Sequence, residues 1–225
     1  MSKLWNNTNG AKRVVLVALP VILFGIIGFG LYAEIAVLFE HWVYYESTEH
    51  MSPALTFCVK AVTFFGSPLA VVAVCLALFI IPVTRANYAL PASLSAFVAA
   101  CLSAALKQFF ARPRPELLRL TGETNYSFPS GHAMITMALF SAIMLLAWKY
   151  MKTHEDRLVT TVPIVALITA VGLSRVYLGA HFITDVVAGW CLGLAVALCV
   201  VFTQDAIRTR YLKSQHQKPA DDTAE

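Results

Sequence analysis

Charged residues are scarce in this sequence. Asp, Glu, Lys and Arg make up 13% of its 225 residues, and 58% of the residues are hydrophobic. In a typical soluble domain about a quarter of the residues are charged. The composition therefore excludes a single soluble domain of this length and predicts an integral membrane protein.

Cysteine is also scarce, and its arrangement excludes two kinds of site. The chain has 5 cysteines, an odd number, and no two of them form a CxxC pair. Disulfide frameworks and structural zinc sites both need paired cysteines at characteristic spacings. We therefore expect neither of them, and four of the cysteines lie in apolar runs, where they pack as small apolar side chains.

Long apolar runs are abundant instead. A bilayer core needs about 20 helical residues, with a range of roughly 17 to 25, and six runs fit this length, although two are short. The sequence therefore predicts an all-α polytopic membrane protein with six transmembrane helices in residues 1–204. A polar cytoplasmic tail follows in residues 205–225, and its composition predicts disorder. The six runs are residues 14–33, 68–83, 86–106, 133–148, 158–174 and 182–203.

The distribution of Lys and Arg predicts the orientation of these helices. With six spans both termini lie on one side, and that side collects 11 of the 17 basic residues. Cytoplasmic loops carry the excess of Lys and Arg, so the termini are predicted to be cytoplasmic in the inner membrane. The opposite helix ends then face the periplasmic or extracellular side. This asymmetry accounts for the basic residues without a nucleic-acid partner.

Residues 34–51 differ from the apolar runs. Apolar side chains recur there at helical spacing among acidic residues and histidines, and Trp42, Tyr44 and Tyr45 lie within the segment. The pattern predicts an amphipathic helix on the outer membrane surface between the first two spans, with the aromatic rings at headgroup depth. Such a helix is either a lid over a lipid site or a connector that lies on the membrane.

Ionisable residues interrupt the apolar pattern where the fifth run ends and the sixth run begins, at Arg175, His181 and Asp185. An Arg or Asp at the centre of a spanning helix costs roughly 2.5 to 3.5 kcal/mol, so such residues lie at helix ends or face a wet interior. His181 and Asp185 are four residues apart, which predicts one face of a helix. Asp185 can then orient the imidazole and leave its second nitrogen free to react. The alternative is an ion pair at a helix end that has no chemical role.

A second basic cluster lies where the third run ends. Lys107 is followed by Arg112 and Arg114, each of which precedes a proline. Two prolines at this spacing cannot continue a helix, so the chain turns into a loop that presents several cations. We expect Arg112 only to add surface charge near anionic headgroups.

A third cluster, Ser130-Gly131-His132, comes directly before the fourth run. Ser130 and Gly131 are therefore predicted to lie at a helix N-terminus, where free N–H groups and the positive end of the helix dipole favour an anion. The alternative is an ordinary serine cap beside a surface histidine.

Six spans place these clusters on the same outer surface, because they lie at the end of the third, the start of the fourth, the end of the fifth and the start of the sixth. Cations and a helix N-terminus suit a tetrahedral polyanion, and two histidines can supply a nucleophile and a general acid. The combination indicates phosphoryl transfer. A non-catalytic transporter of anionic lipids and a metal site of two histidines and one carboxylate are the alternatives.

The clusters also resemble the signature motifs of a known family, the type 2 phosphatidic acid phosphatase superfamily. This family includes bacterial phosphatases of phosphatidylglycerophosphate and undecaprenyl diphosphate and, more distantly, vanadate haloperoxidases. The resemblance extends directly over residues 107–185, and the six-span layout covers most of the remainder. The motifs are Lys107-x6-Arg114-Pro115, Pro129-Ser130-Gly131-His132 and Ser174-Arg175-x5-His181-x3-Asp185.

The resemblance implies a role for each motif residue. His181 attacks phosphorus and becomes a phosphohistidine, Asp185 orients it, and His132 protonates the departing lipid alkoxide. The substrate is a phospholipid or isoprenoid phosphate in the membrane, no metal or other cofactor takes part, and the acceptor is water or, in a phosphotransferase, another molecule. The residues that hold the phosphate oxygens are Lys107, Arg114, Ser130, Gly131 and Arg175.

Overall fold

The computed structural model describes residues 10–116 and 120–216, and these contain helices and no β-strand. A single turn at Pro82–Thr84 and a π-helical turn at Arg85–Ala89 lead into the fifth of the longer helices. The longer helices are α1 (Gly10–Tyr32), α2 (Val37–Glu49), α3 (Pro53–Phe64), α4 (Pro68–Ile80), α5 (Leu90–Phe110), α6 (Gly131–Tyr150), α7 (His154–Tyr177) and α8 (Ile183–His216).

The spanning helices agree with the prediction of six, with one change. Five helical stretches within the described residues are long and apolar enough to cross a bilayer, and they contain α1, α5, α6, α7 and α8. The bent pair α3 and α4 passes the same test together, with a 45° bend at the break, and is the sixth span when the pair is counted as one. The protein is therefore an all-α polytopic membrane protein. Its second span begins earlier than the predicted residue 68, because α3 belongs to it.

The break between α3 and α4 follows from two serine-proline starts. Ser52 Oγ accepts a hydrogen bond from the amide of Leu55 (3.2 Å), and Ser67 Oγ accepts one from Ala70 (3.3 Å). In each helix a proline follows at the first position, where its missing N–H removes no helical hydrogen bond. The second start therefore interrupts the span at residues 65–67.

Helix α8 lies at the centre of the bundle and packs against α1, α5, α6 and α7. Its closest approach is to α6, where Gly189 and Gly193 face the backbone of the first turns of α6. A Cβ at Gly189 would lie 2.8 Å from the carbonyl oxygen of Ser130. The missing side chains thus allow the start of α8 to approach the start of α6.

The predicted tail differs from the structure. Helix α8 continues to His216, so residues 205–216 are helical rather than disordered, and residues 217–225 lie outside the described part. Asp205 accepts hydrogen bonds from Arg13 (2.9 Å) and Lys149 (2.6 Å). Composition alone favoured disorder, but this carboxylate ties α8 to α1 and α6.

The predicted surface helix forms as α2, and Trp42 and Tyr45 are exposed as expected. Tyr44 and Glu40 are buried, however, so α2 packs on the bundle through one face. The Tyr44 ring does not face the surrounding lipid, because it lies on the inner face of α2 and is covered by the protein.

We predict that Gly189→Ala destabilises the protein, because the added methyl group collides with the Ser130 carbonyl. Overpacking of this kind costs about 1–3 kcal/mol. Thermal unfolding in detergent should show a lower Tm than wild type. Gly25→Ala on α1 is the control, since no atom lies within 4 Å of a Cβ there. Equal Tm values for Gly189→Ala and wild type would contradict the close approach of α6 and α8.

Candidate active site

Backbone hydrogen bonds bring the three sequence clusters to one end of the bundle. Ser127 N donates to Arg112 O (2.9 Å), Ser130 N donates to Asp185 O (3.0 Å), and Leu120 N donates to Leu178 O (3.0 Å). The loop between α5 and α6 is thereby attached to the connection between α7 and α8. The predicted convergence of these helix ends is present in the structure.

His181 and Asp185 form a buried pair. Nδ1 of His181 lies 3.4 Å from Oδ2 of Asp185, and the side chains are 1% and 0% exposed. The two residues do not share a helix face as predicted, because α8 begins at Ile183 and His181 precedes it. Asp185 instead accepts the backbone N–H of Phe182 (2.9 Å), and this turn brings its carboxylate towards the imidazole.

The imidazole of His181 is neutral at physiological pH. Burial lowers the pKa of His181 to about 4, against the opposing effect of Asp185. Nε2 lies 3.3 Å from Nη1 of Arg114. A guanidinium can only donate, so Nε2 is the acceptor nitrogen and Nδ1 carries the proton towards Asp185. The lone pair of Nε2 is therefore directed into the cationic end of the site.

A carboxylate, that of Glu123, lies between the motif arginines. Its Oε2 is 2.9 Å from Nη2 of Arg114 and 3.9 Å from Nε2 of His181, and its Oε1 accepts a hydrogen bond from Nη2 of Arg175. Burial raises the pKa of Glu123, but Arg175 and Arg114 more than offset this and keep it below its usual value. An anion thus occupies the place predicted for phosphate. An acidic residue in a polar loop carries no sequence signal for such a position.

The two arginines are held differently. Nε of Arg114 donates to the backbone oxygen of Asn125 (2.6 Å), and Nη1 donates to that of Ala180 (2.6 Å). Arg175 donates from Nη1 to Oγ1 of Thr63 (2.9 Å), whereas its buried Nε has no hydrogen-bond partner among the described residues. Arg175 therefore retains a donor for a further acceptor.

Lys107 and Ser130 are two further side chains that the sequence predicted to bind phosphate. Lys107 Nζ donates to the carbonyl oxygens of Tyr126 and Ser127, the latter at 3.4 Å. Gly131 lies beside the Lys107 side chain. A Cβ added at this glycine would be 4.0 Å from Cε of Lys107. The amide of Ser130 donates to Asp185 O, so it is not offered to an anion as predicted. Its Oγ caps no amide and, within the described residues, has no partner.

His132 lies at the first turn of α6, beside the break between α3 and α4. Its Cδ2 would be 3.1 Å from a Cβ at Gly66, so a larger residue there would contact the ring. His132 interacts electrostatically with Arg175, Glu123, His181 and Lys107. The second histidine is therefore part of the same group of charges as the first.

The contacts of Arg112 differ from the prediction made for it. It was expected only to add surface charge, but Nη1 donates to Oδ1 of Asp185 (2.5 Å) and Nη2 donates to Oε2 of Glu40 (2.6 Å). Ser127 Oγ also donates to Asp185. None of these partners stood out from the sequence, because each contact joins positions far apart in the chain.

Within the described ranges, no three or more His, Cys, Asp and Glu side chains are arranged to hold a metal ion. Arg112 and Ser127 donate to the carboxylate of Asp185, and Arg114 lies against Nε2 of His181. These contacts occupy the Asp185 carboxylate and Nε2 of His181, two of the three ligands that a site of two histidines and one carboxylate would need.

A solved structure resembles the whole fold. The crystal structure of a transmembrane PAP2-type phosphatidylglycerolphosphate phosphatase from Bacillus subtilis superposes with a TM-score of 0.76 and 24% sequence identity. The match covers 85% of this chain and 97% of that one. At this identity the likeness concerns the fold.

Sequence relatives match shorter regions. Phosphatidylglycerophosphatase B of Bacillus subtilis is 36% identical over 102 residues, which are 44% of this chain and 49% of that protein. Undecaprenyl-diphosphatase of Sulfolobus acidocaldarius is 40% identical over 72 residues, which are 31% of this chain and 30% of that protein. The matches thus span about half or less of these relatives.

The profile of the PAP2 superfamily matches residues 88–208. The matched region extends from just before α5 into α8, so it contains all three motif clusters and the helices that present them. With more than half of the chain matched, this protein belongs to the PAP2 superfamily.

Proposed function

We propose that this protein is a lipid phosphate phosphatase that hydrolyses phosphomonoester or diphosphate lipids through a phosphohistidine, without a metal ion. The observation that carries the proposal is the Glu123 carboxylate between Arg114 and Arg175, 3.9 Å from Nε2 of His181. Its oxygens stand in for two oxygens of a substrate phosphate. An oxyanion held there presents its central atom to a nucleophile that Asp185 supports.

In the first step, the Nε2 lone pair of His181 attacks phosphorus. The N–P bond forms while the bond from phosphorus to the lipid oxygen breaks, and His132, which starts this step as an imidazolium, donates a proton to that leaving oxygen. The carboxylate of Asp185, with Oδ2 3.4 Å from Nδ1, stabilises the positive charge that develops on the ring. The products are the dephosphorylated lipid and a phosphohistidine.

In the second step, water attacks the phosphorus of the phosphohistidine. His132, now neutral, takes a proton from the water, and the N–P bond breaks with its electron pair returning to Nε2 of His181. Inorganic phosphate leaves and both histidines regain their starting forms. A phosphotransferase would use the same first step with a different acceptor in the second.

The magnitude of the catalytic task explains the number of cations. Hydrolysis of a phosphate monoester can require an acceleration of up to about 10²¹, of which general acid catalysis supplies about 10² to 10⁴. Positioning and stabilisation of the equatorial oxygens must supply most of the remainder. Lys107, Arg114, Arg175 and the hydroxyl of Ser130 are the groups that we assign to this role.

The PAP2 family and the membrane-spanning helices support a lipid phosphate as the substrate. A cavity of about 340 Å³ adjoins Arg114 and is lined by His41, Tyr44 and Phe182 among others. It offers space for a lipid headgroup beside the phosphate position. The candidate substrates are phosphatidylglycerophosphate, phosphatidate, lysophosphatidate, diacylglycerol diphosphate and undecaprenyl diphosphate, and no nucleic acid is involved.

We propose that the site faces the periplasmic or extracellular side of the cytoplasmic membrane and that both termini are cytoplasmic. The excess of Lys and Arg supports this orientation. Basic residues such as Arg13, Lys149 and Arg208 belong to the end of the bundle at Asp205, opposite the site.

We predict that His181→Ala lowers phosphate release from short-chain phosphatidate by at least about 10³-fold, because the nucleophile is lost. Release is measured with purified protein in detergent, and ¹⁸O from labelled water should appear in the wild-type phosphate. His50→Ala, at an exposed position after α2, is the control and should retain activity. Wild-type turnover by His181→Ala would refute the phosphohistidine mechanism.

We predict that Glu123→Gln binds orthovanadate and inorganic phosphate more tightly. The native carboxylate competes with these anions for Arg114 and Arg175, and removing its charge removes that competition. The inhibition constants should fall at least about fivefold. Glu155→Gln, at an exposed position in the first turn of α7, should leave them unchanged. Unchanged constants in Glu123→Gln would contradict the assignment of its carboxylate to the phosphate position.

We predict full activity in excess EDTA, since side-chain cations rather than a metal ion neutralise the phosphate. Initial rates are compared before and after dialysis against chelator. Loss of activity that added Mg²⁺ or Mn²⁺ restores would overturn the metal-independent mechanism.

A further inference from the structure

The starting observation is a bridge between two carboxylates. Arg112 donates from Nη1 to Asp185 (2.5 Å) and from Nη2 to Glu40 (2.6 Å). The Glu40 side chain is 2% exposed and also accepts a hydrogen bond from Oγ1 of Thr184. The bridge therefore links α2 to the residue that supports the nucleophile.

Two contacts fix the orientation of the planar Arg112 guanidinium. Its Cζ lies 4.2 Å from the centroid of the Phe182 ring, and Nη1 also donates to Thr184 Oγ1 (3.1 Å). Stacking and paired donors are properties of arginine that lysine does not share. The geometry thus uses the planar fork of Arg112 and not only its charge.

We propose that Arg112 is a positioning residue that acts through Asp185, and that Glu40 of α2 anchors it. The proposal rests on the proposed function of His181. Arg112 holds Oδ1 of Asp185, while Ser127 and the amide of Phe182 hold Oδ2. These bonds orient the carboxylate so that Oδ2 faces the imidazole.

Glu40 also sets the charge of this group. Its negative charge balances Arg112, so Asp185 retains a net negative charge with which to stabilise the imidazolium of the phosphohistidine. The other charged or titratable groups that face His181 are Arg114, Lys107, Glu123 and His132. All four lie on elements other than α2 and are unchanged by substitutions at Glu40.

We expect Arg112→Lys to lower kcat about tenfold or more and to change KM less than about twofold, since it keeps the charge and loses the fork. The comparison uses short-chain phosphatidate and protein whose Tm and elution volume match those of wild type. Arg85→Lys, at an exposed position before α5, is the matched control and should retain kcat.

A second measurement separates positioning from a merely structural role. Glu40→Gln leaves the charge of Arg112 unbalanced and should move the acid limb of the kcat/KM profile to lower pH. Arg112→Gln removes a positive charge and should move it to higher pH. Glu46→Gln, on the exposed face of α2, should not move it. The substrate titrates identically in every variant, so these differences belong to the enzyme.

The outcomes are distinguishable. The proposed function is tested separately, by whether the wild-type protein releases phosphate faster than His181→Ala. Given that turnover, a wild-type kcat in Arg112→Lys and an unmoved acid limb in Glu40→Gln would overturn the positioning role. If Arg112→Lys fails to fold, the shift in Glu40→Gln decides, with Glu40→Asp as the conservative variant that should restore the wild-type profile.

Discussion

A buried carboxylate must be hydrogen-bonded or paired, and the partners of Asp185 connect the separate parts of this molecule. Arg112 comes from the segment after α5, Ser127 from the loop before α6, and His181 from the connection after α7. The backbone carbonyl of Asp185 also accepts the amide of Ser130. One ionised side chain at the start of α8 thus requires the ends of four helices to meet, and that meeting point is the site.

The proposed phosphoryl transfer needs a neutral imidazole as nucleophile beside charged guanidinium groups, and burial favours this combination of protonation states. His181 loses its proton readily because it is buried beside cations, whereas arginines retain their charge and require anions. Glu123 supplies that anion for Arg114 and Arg175. In the proposed reaction, a phosphate that replaces the carboxylate would exchange one ion pair for another, so the arginines would not be left unpaired.

Packing by small residues makes this arrangement possible. Gly189 brings the start of α8 against Ser130, and Gly66 leaves room for the ring of His132 at the break between α3 and α4. A bulky side chain at either position would move a helix end that carries a site residue. The bends and close contacts of the bundle are therefore part of the site and not only of the fold.

The sequence alone determined which segments span the membrane and where charged residues gather. A bilayer accepts helices of only a narrow range of lengths, and it accepts charge mainly at their ends. These patterns predicted the helices, their number and the cluster of Lys107, Arg114, His132, Arg175 and His181.

Only the tertiary structure decided the contacts of Arg112, Glu40 and Glu123, and the helical course of residues 205–216. Each of them depends on a partner distant in sequence, and a local pattern carries no information about that partner. Hydrogen bonds and ion pairs between distant residues determine whether a charge faces solvent, supports a catalytic group or occupies a binding site.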